Sequence, residues 1–81
     1  MIGVLILRKI KVNSIYRHFK GDFIYVLDVA CNTETEEEYV IYKHRGKTWA
    51  RPINMFLSEV DKEKYPYVKQ KYRFEEVREE N

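Results

Sequence analysis

The run 23–30 constrains the fold of this chain most, because it has the pattern of a β-strand that is apolar on both faces. Side chains of a strand alternate between its two faces, so every second residue shares a face. One face carries Phe23, Tyr25, Leu27 and Val29, and the other carries Ile24, Val26, Asp28 and Ala30. Since neither face is largely polar, the strand is predicted to lie in the middle of a sheet.

Turn signals on both sides of this run predict further short strands. Lys20-Gly21-Asp22 precedes it, and an acidic loop over 32–38 follows it. Gly suits the positive-φ position of a tight turn, which also predicts a turn at Arg45-Gly46-Lys47. The strand 23–30 is expected to pair antiparallel with 39–44. The other predicted strands are 2–12, 15–19, 48–51 and 72–77.

Pro52 is predicted to end a strand and to open the only helix, since its missing N–H is not needed there. Apolar residues follow it at spacings i, i+3, i+4 and i+7, which place them on one helical face. They are Ile53, Phe56, Leu57 and Val60. A helix of about two turns that buries Phe56 and Leu57 against one end of the sheet is expected.

These elements predict a mainly β fold, a small antiparallel β-barrel of the SH3-like kind with one short helix. Closure would remove sticky strand edges, and a split sheet with the helix on one face is the alternative. We predict one domain over 1–81, with a strand or extension over 1–12, a β core over 14–77 and a frayed tail over 78–81.

Charge is distributed unevenly, although the net charge is only +2. Residues 1–20 carry five Lys or Arg and no acid, residues 21–38 carry six Asp or Glu and no base, and residues 43–51 carry four more bases. If the two basic stretches meet in the folded chain, they form a local positive patch on a nearly neutral protein. The alternative is that these charges solvate separate strand faces.

The single cysteine and the apolar start of the chain bear on its class. Cys31 excludes an intramolecular disulfide, which favours a reducing cytoplasm over a disulfide-stapled secreted scaffold. It ends an apolar run and is expected to be a buried or half-buried thiol. The apolar residues 1–7 are far fewer than the roughly 20 that a membrane span needs, so no membrane partner is predicted.

Several short segments resemble one family of small proteins. They are Tyr16-Arg17-His18-Phe19-Lys20-Gly21, Tyr25-Val26-Leu27, Glu34-Thr35, Val40-Ile41-Tyr42, Arg51-Pro52, Met55-Phe56-Leu57 and Tyr72-Arg73-Phe74. Their order and spacing are similar to those of the family called domain of unknown function 1653. The resemblance implies a small, β-rich, cytoplasmic bacterial protein without an established activity.

Residues that commonly carry catalysis or bind metals are sparse. His18 and His44 are the only histidines, and with Cys31 they do not show the spacing of a zinc site, so no metal and no cofactor is predicted. The sequence has neither a Gly-rich phosphate loop nor a Ser nucleophile elbow. An enzyme is therefore not the favoured class.

Asp28 is the one acid expected to be partly buried, because it lies between Leu27 and Val29 in the central strand. We expect it to pair with Arg17 or Arg51 and not to act as a general base. Arg51, at the end of a strand just before Pro52, is expected to pair with Asp28 or Glu38.

Five residues form the candidate ligand-binding set, because they interleave aromatic and basic side chains. They are Tyr16, His18, Lys20, Trp49 and Arg51. The first three share one face of their strand, and the last two share a face of theirs. Such faces can stack a planar group and pair with a phosphate, whereas the alternative is that the rings fill the core.

The leading functional hypothesis is a non-enzymatic binding module for single-stranded nucleic acid or a nucleotide-like anion. A module that binds a peptide in the same aromatic groove is the alternative. An enzyme is third, because no nucleophile–base pair is visible. A monomer or a weak homodimer is expected.

Overall fold

The structure is a computed structural model and describes residues 9–78. In chain order these residues form β1 (Ser14–His18), β2 (Phe23–Cys31), β3 (Glu38–His44), β4 (Lys47–Pro52), α1 (Ile53–Phe56) and β5 (Phe74–Glu76). The strand predicted over 2–12 falls mostly outside the described residues, and 9–12 carry no strand. Most of the predicted frayed tail also lies outside them.

The strands form one antiparallel sheet in the order β4-β3-β2-β1-β5. The predicted pairing of 23–30 with 39–44 is confirmed, with Tyr25 opposite Lys43 and Ala30 opposite Tyr39. The last strand is shorter than predicted, but it pairs with β1, and the Val77 N–H extends this edge by donating to the Ile15 carbonyl at 2.9 Å. The mainly β, antiparallel architecture with one short helix is therefore confirmed.

Two turns lie where glycine predicts them. Gly21 has a φ of 106°, and Arg45 and Gly46 have φ values of 53° and 79°. Positive φ at both central residues is the pattern of a type I′ hairpin, whose twist matches that of the strands it joins. In this meander both turns lie at the same end of the sheet, next to the ends of β1 and β3.

A β-bulge at Leu27 divides the central strand. Val26 pairs with Tyr42 but Asp28 pairs with Ile41, so Leu27 has no partner of its own on β3. Such an insertion switches the face on which the following residues lie. Asp28 is consequently exposed on the outside of the sheet, and the prediction that it is partly buried is wrong.

The core lies on the face of the sheet that α1 covers, here called the concave face. Its buried side chains are Tyr16, Ile24, Val26, Val40, Tyr42, Phe56 and Phe74. The Phe56 and Phe74 rings stack with centroids 4.2 Å apart, and the Tyr16 ring meets Phe56 edge-on at 5.4 Å. The core is thus largely aromatic.

The helix has one turn, not two. Phe56 is fully buried, as predicted, and Leu57 is half-buried against the core. The chain leaves the helix at Ser58, whose hydroxyl donates to the Met55 carbonyl at 2.7 Å. Val60 is also buried, but it lies beyond the helix in an extended segment, where its N–H donates to the Lys71 carbonyl.

The SH3-like barrel is not confirmed, because β4 and β5 do not pair with each other within residues 9–78. The sheet nevertheless curls, since the Arg51 guanidinium of β4 lies 5.5 Å from the centre of the Phe74 ring of β5. The helix packs on one face, as in the alternative, but the sheet is continuous.

Cys31 is exposed, contrary to prediction. It forms the last described pair of the β2–β3 hairpin, with Glu38, and lies beyond the core. No helix in the described part of the chain is both long and apolar enough to cross a membrane.

Candidate functional site

An open cavity of about 220 Å³ lies on the concave face, at the end of the sheet where the two glycine turns meet. Its apolar lining comes from Ile24, Tyr42 and Phe74, which belong to the core. Because these side chains are fixed by packing on three different strands, the cavity has a preformed aromatic floor.

The polar rim of this cavity is built by strand ends. β1 ends at His18, which shares the face of Tyr16, and the turn at Gly21 brings Lys20 and Asp22 to the same opening. β3 ends at His44 at this end of the sheet, whereas Arg51 lies opposite Val40 in the other half of β4 and reaches the opening with its side chain. The rim therefore combines residues that are far apart in the sequence.

A second cavity of about 280 Å³ adjoins the first. The two have His18, Lys20 and Arg51 in common, which we call the shared wall. The remaining lining of the second cavity is aromatic or charged and consists of Phe19, Asp61, Lys64, Tyr65 and Arg73. The shared wall is thus open to ligand on two sides.

His18 is held in a defined orientation and tautomer. Its ring lies 4.5 Å from Phe19 and 4.9 Å from Phe74. Its Nδ1 accepts the Lys20 backbone N–H at 3.1 Å, so Nδ1 carries no proton in the neutral ring and Nε2 is left as a donor. Burial, and then the charges of Arg51 and Lys20, lower the pKa of His18 below its ordinary value of 6.5.

Arg51 spans the curl of the sheet without an acidic partner. Its Nε donates to the Tyr42 hydroxyl at 3.3 Å, and its guanidinium lies over the Phe74 ring at 5.5 Å. It forms no ion pair with any described residue, so the predicted pairing with Asp28 or Glu38 is wrong. The bulge at Leu27 explains why the pair with Asp28 is absent, because it turns Asp28 to the face opposite that of Arg51.

Lys20 also has no ion-pair partner in the described part of the chain. Its ammonium lies 5.9 Å from the centre of the Phe19 ring and 5.4 Å from that of Tyr65. Cation–π contacts at exposed sites hold a side chain only weakly, by about 0.5–1 kcal/mol. Both cations of the shared wall are therefore available to a bound anion.

Asp22 is occupied on the opposite side of the rim. Its Oδ2 lies 2.9 Å from His44 Nε2 and 3.2 Å from Arg45 Nη2. The hydrogen bond with His44, and next the charge of Arg45, lower the pKa of Asp22 below its ordinary value. This carboxylate joins the two glycine turns and forms no ion pair with Lys20 or Arg51.

The family model described as "Protein of unknown function (DUF1653)" matches residues 14–76. The chain belongs to this family. The match begins at the first residue of β1 and ends at the last residue of β5, so it spans the whole sheet. No curated protein and no solved structure matches the chain significantly.

The structure brings three of the five candidate residues of this DUF1653 protein together, namely those of the shared wall. Trp49 lies opposite Tyr42 on the same face of the sheet and is 46% exposed, and its Nε1 donates to the His44 carbonyl at 3.3 Å. Tyr16 is only 2% exposed, and its hydroxyl accepts the Lys11 N–H at 2.9 Å. Tyr16 is therefore a core residue and does not reach the expected common surface.

Sequence reasoning missed several residues that line the two cavities. They are Asp22, His44, Lys64, Tyr65, Arg73 and Phe74. The contact between Asp22 and His44 could have been predicted from the sequence, because both residues flank glycine turns. Alternate turns of an antiparallel meander lie at the same end of the sheet. The other four lie in or next to the irregular segment after α1, whose path no periodicity specifies. Residues 9–78 contain no group of three or more His, Cys, Asp or Glu that could hold a metal ion.

Proposed function

We propose that this protein is a non-enzymatic binding module that holds single-stranded nucleic acid or a nucleotide-like anion on its concave face. The observation that supports the proposal is the shared wall, where Lys20 and Arg51 face two cavities without an ion-pair partner among the described residues. A phosphate there would gain charge-assisted hydrogen bonds without the loss of an existing salt bridge.

The chemistry of the shared wall suits a phosphate group. The planar guanidinium of Arg51 can donate two parallel hydrogen bonds, and the Lys20 ammonium adds a second positive charge. Neutral His18 contributes the Nε2–H donor that its tautomer leaves open. Lys64 and Arg73 in the second cavity extend the positive field along a phosphate chain.

Aromatic side chains next to these cations suit a base or another planar group. Tyr65 and Phe19 line the second cavity, and Trp49 is half-exposed on the same face of the sheet. Stacking contributes roughly 1–3 kcal/mol per base, so two stacked bases and one phosphate are consistent with a micromolar dissociation constant, about −8 kcal/mol.

The pair His44–Asp22 supports a structural role over a catalytic one. Here Asp22 Oδ2 also contacts Arg45, and the three side chains together join two turns. The pair therefore fixes the two turns that form one side of the cavity rim. Ligand binding is assigned to the shared wall.

A peptide ligand is the second candidate, and the edge position of β4 favours it. β4 has no neighbour on its outer side among the described strands, and Trp49 is half-exposed on it. A peptide that adds to this edge as a further strand would use backbone hydrogen bonds. Its affinity would depend on salt much less than that of a nucleic acid.

The test uses the fluorescence of Trp49, the only tryptophan of the chain. Titration with oligothymidylate at low salt should quench it, and added salt should reverse the quenching. The slope of log affinity against log salt should fall by about 0.7 in Lys20→Gln, as expected when one phosphate contact of a single strand is lost.

The matched control is Lys69→Gln, which removes an exposed lysine that lines neither cavity. It should leave the salt slope unchanged. Equal slopes in wild type and Lys20→Gln, or no binding of a dye-labelled strand at high micromolar concentration, would reject the nucleic-acid proposal. Salt-independent binding of peptides would then support the second candidate.

A further inference from the structure

The outer face of the sheet, opposite the concave face, is apolar at its centre. Phe23 is 59% exposed, Ile15 47% and Tyr25 40%. Ile15 and Tyr25 are cross-strand partners, and Phe23 is the next outward residue on β2. The solvated face of an antiparallel sheet is ordinarily polar, so this cluster indicates a surface that is covered in a complex.

Two opposite charges flank this cluster along the strand direction. Arg17 lies opposite Phe23 at one end, and Asp28 lies at the other end, beyond Tyr25 on β2. Neither forms an ion pair with a described residue. Asp28 uses Oδ1 for the Val29 N–H at 2.8 Å, which leaves Oδ2 for a further partner.

Glu75 forms no ion pair with Arg17, although the two residues are opposite each other on β1 and β5. Its Oε2 accepts the N–H groups of Lys71 and Tyr72, each at 3.1 Å. The carboxylate is therefore directed along its own strand. Arg17 remains exposed beside the apolar cluster.

We propose that the outer face binds a second copy of this chain in a two-fold symmetric dimer. A two-fold axis in the plane between two facing sheets, perpendicular to the strands and level with the Ile15–Tyr25 pair, sets Arg17 of each copy against Asp28 of the other. One apolar contact and two equivalent ion pairs form together. Arg17 and Asp28 lie on opposite sides of the centre of the face, so these two charges are complementary between two copies. Lys43, opposite Tyr25 on β3, can direct its ammonium to solvent at the margin of the contact.

This arrangement leaves the concave faces of both copies open. The two sheets would pack about 10 Å apart as in a β-sandwich, with the shared walls on opposite outer surfaces. The dimer therefore does not depend on the anion site, and its test needs no ligand.

A charge swap tests the dimer most sharply. Sedimentation of the full chain over a concentration series should show a species of twice the monomer mass. Arg17→Glu and Asp28→Arg should each weaken association by at least about tenfold, because each sets two like-charged pairs at the interface. The double variant Arg17→Glu/Asp28→Arg should restore association to within about threefold of wild type.

Two further variants control for loss of apolar surface. Phe23→Asp should abolish association, whereas Tyr67→Asp, at a ring that is 93% exposed elsewhere, should leave it unchanged. Far-UV circular dichroism of each variant shows that a loss of association is not a loss of fold.

Three outcomes would overturn the proposal. A wild-type chain that remains monomeric up to millimolar concentration would exclude the dimer. A double variant that associates no better than the single variants would exclude this arrangement. Association that appears only after removal of residues 1–8 would assign the cover of this face to the chain itself.

Discussion

The two faces of one sheet differ in how they treat aromatic and charged side chains. On the concave face the rings of Phe56, Phe74 and Tyr42 are buried, and Lys20 and Arg51 at their margin form no ion pair with a described residue. On the outer face rings are exposed, with Arg17 and Asp28 at the two ends of the cluster along the strands and Lys43 and Glu75 on the neighbouring strands. The first combination suits an anion with planar groups, and the second suits a copy of itself.

The role of an aromatic residue in this chain does not follow from its residue type. Tyr16 and Tyr25 are both in strands of the same hairpin, yet Tyr16 is 2% exposed and Tyr25 is 40% exposed. Strand alternation alone separates them. What each residue can do follows from its face.

The largest expected effect is a difference in stability between alanine variants of two phenylalanines, one on each face of the sheet. Phe56→Ala removes a fully buried ring that stacks on Phe74, and it should lower the free energy of unfolding by about 3–5 kcal/mol. Phe23→Ala, at 59% exposure, should change it by no more than about 0.5 kcal/mol. Urea denaturation at a concentration where the chain is monomeric measures both.

Equal losses of unfolding free energy in Phe56→Ala and Phe23→Ala would contradict the difference between the two faces. The outer face would then contribute to the stability of the monomer. The denaturant slope serves as the control. It should stay unchanged in both variants if only stability differs.

An intermediate effect is expected at Arg51, where structure and binding meet. Arg51→Ala removes the hydrogen bond to Tyr42 and the contact with the Phe74 ring, so it should destabilise by roughly 1–2 kcal/mol. Arg51→Met retains the aliphatic stem and should destabilise less. Both should weaken oligothymidylate binding to a similar degree, because both lack the charge.

Thermal denaturation and the Trp49 titration together separate the two roles of Arg51. Binding that survives in Arg51→Met at wild-type affinity would remove this residue from the proposed site. It would leave only its structural contacts.

The smallest expected effect is the pH dependence due to His18. Its folded pKa lies below 6.5, so between 6.5 and the folded value the unfolded chain binds the proton and the native chain does not. Its contribution to stability should therefore fall as the pH drops below 6.5. Above 6.5 both states are neutral at this residue, and the contribution is constant.

Denaturation of wild type and His18→Gln at a series of pH values isolates this contribution. The difference between the two should change with pH below 6.5, with wild type losing more stability on acidification. If the stability difference between wild type and His18→Gln is constant with pH, the pKa of His18 is not lowered. The His18 ring would then not be half-buried next to Arg51 and Lys20.

Much of the fold was predictable because it rests on local signals. The apolar run 23–30, the two glycine turns and the spacing of Phe56 and Leu57 specify a central strand, a meander and a helix after Pro52. The bulge at Leu27 was not predictable, because nothing in an unbroken apolar run marks the residue that lacks a partner. The error at Asp28 followed directly from it.

The candidate site was predictable only in part, for a similar reason. Alternation correctly placed Tyr16 and His18 on one face, but it does not say which positions on that face α1 covers. Tyr16 therefore lies in the core, whereas His18, two residues on, lines both cavities. Tyr65 and Arg73 come from an irregular segment, and only the folded chain brings them to the shared wall.

An amide chemical-shift map of the chain titrated with oligothymidylate tests most directly whether the concave face, and not the outer face, binds nucleic acid. If the strand binds at the shared wall, the backbone amides of His18, Lys20 and Arg51 should show shifts that saturate at micromolar strand and are lost at high salt. Amides of the outer face, at Ile15 and Tyr25, should not respond to the strand. Shifts confined to the outer face, or none on either face at millimolar strand, would contradict binding at the concave face.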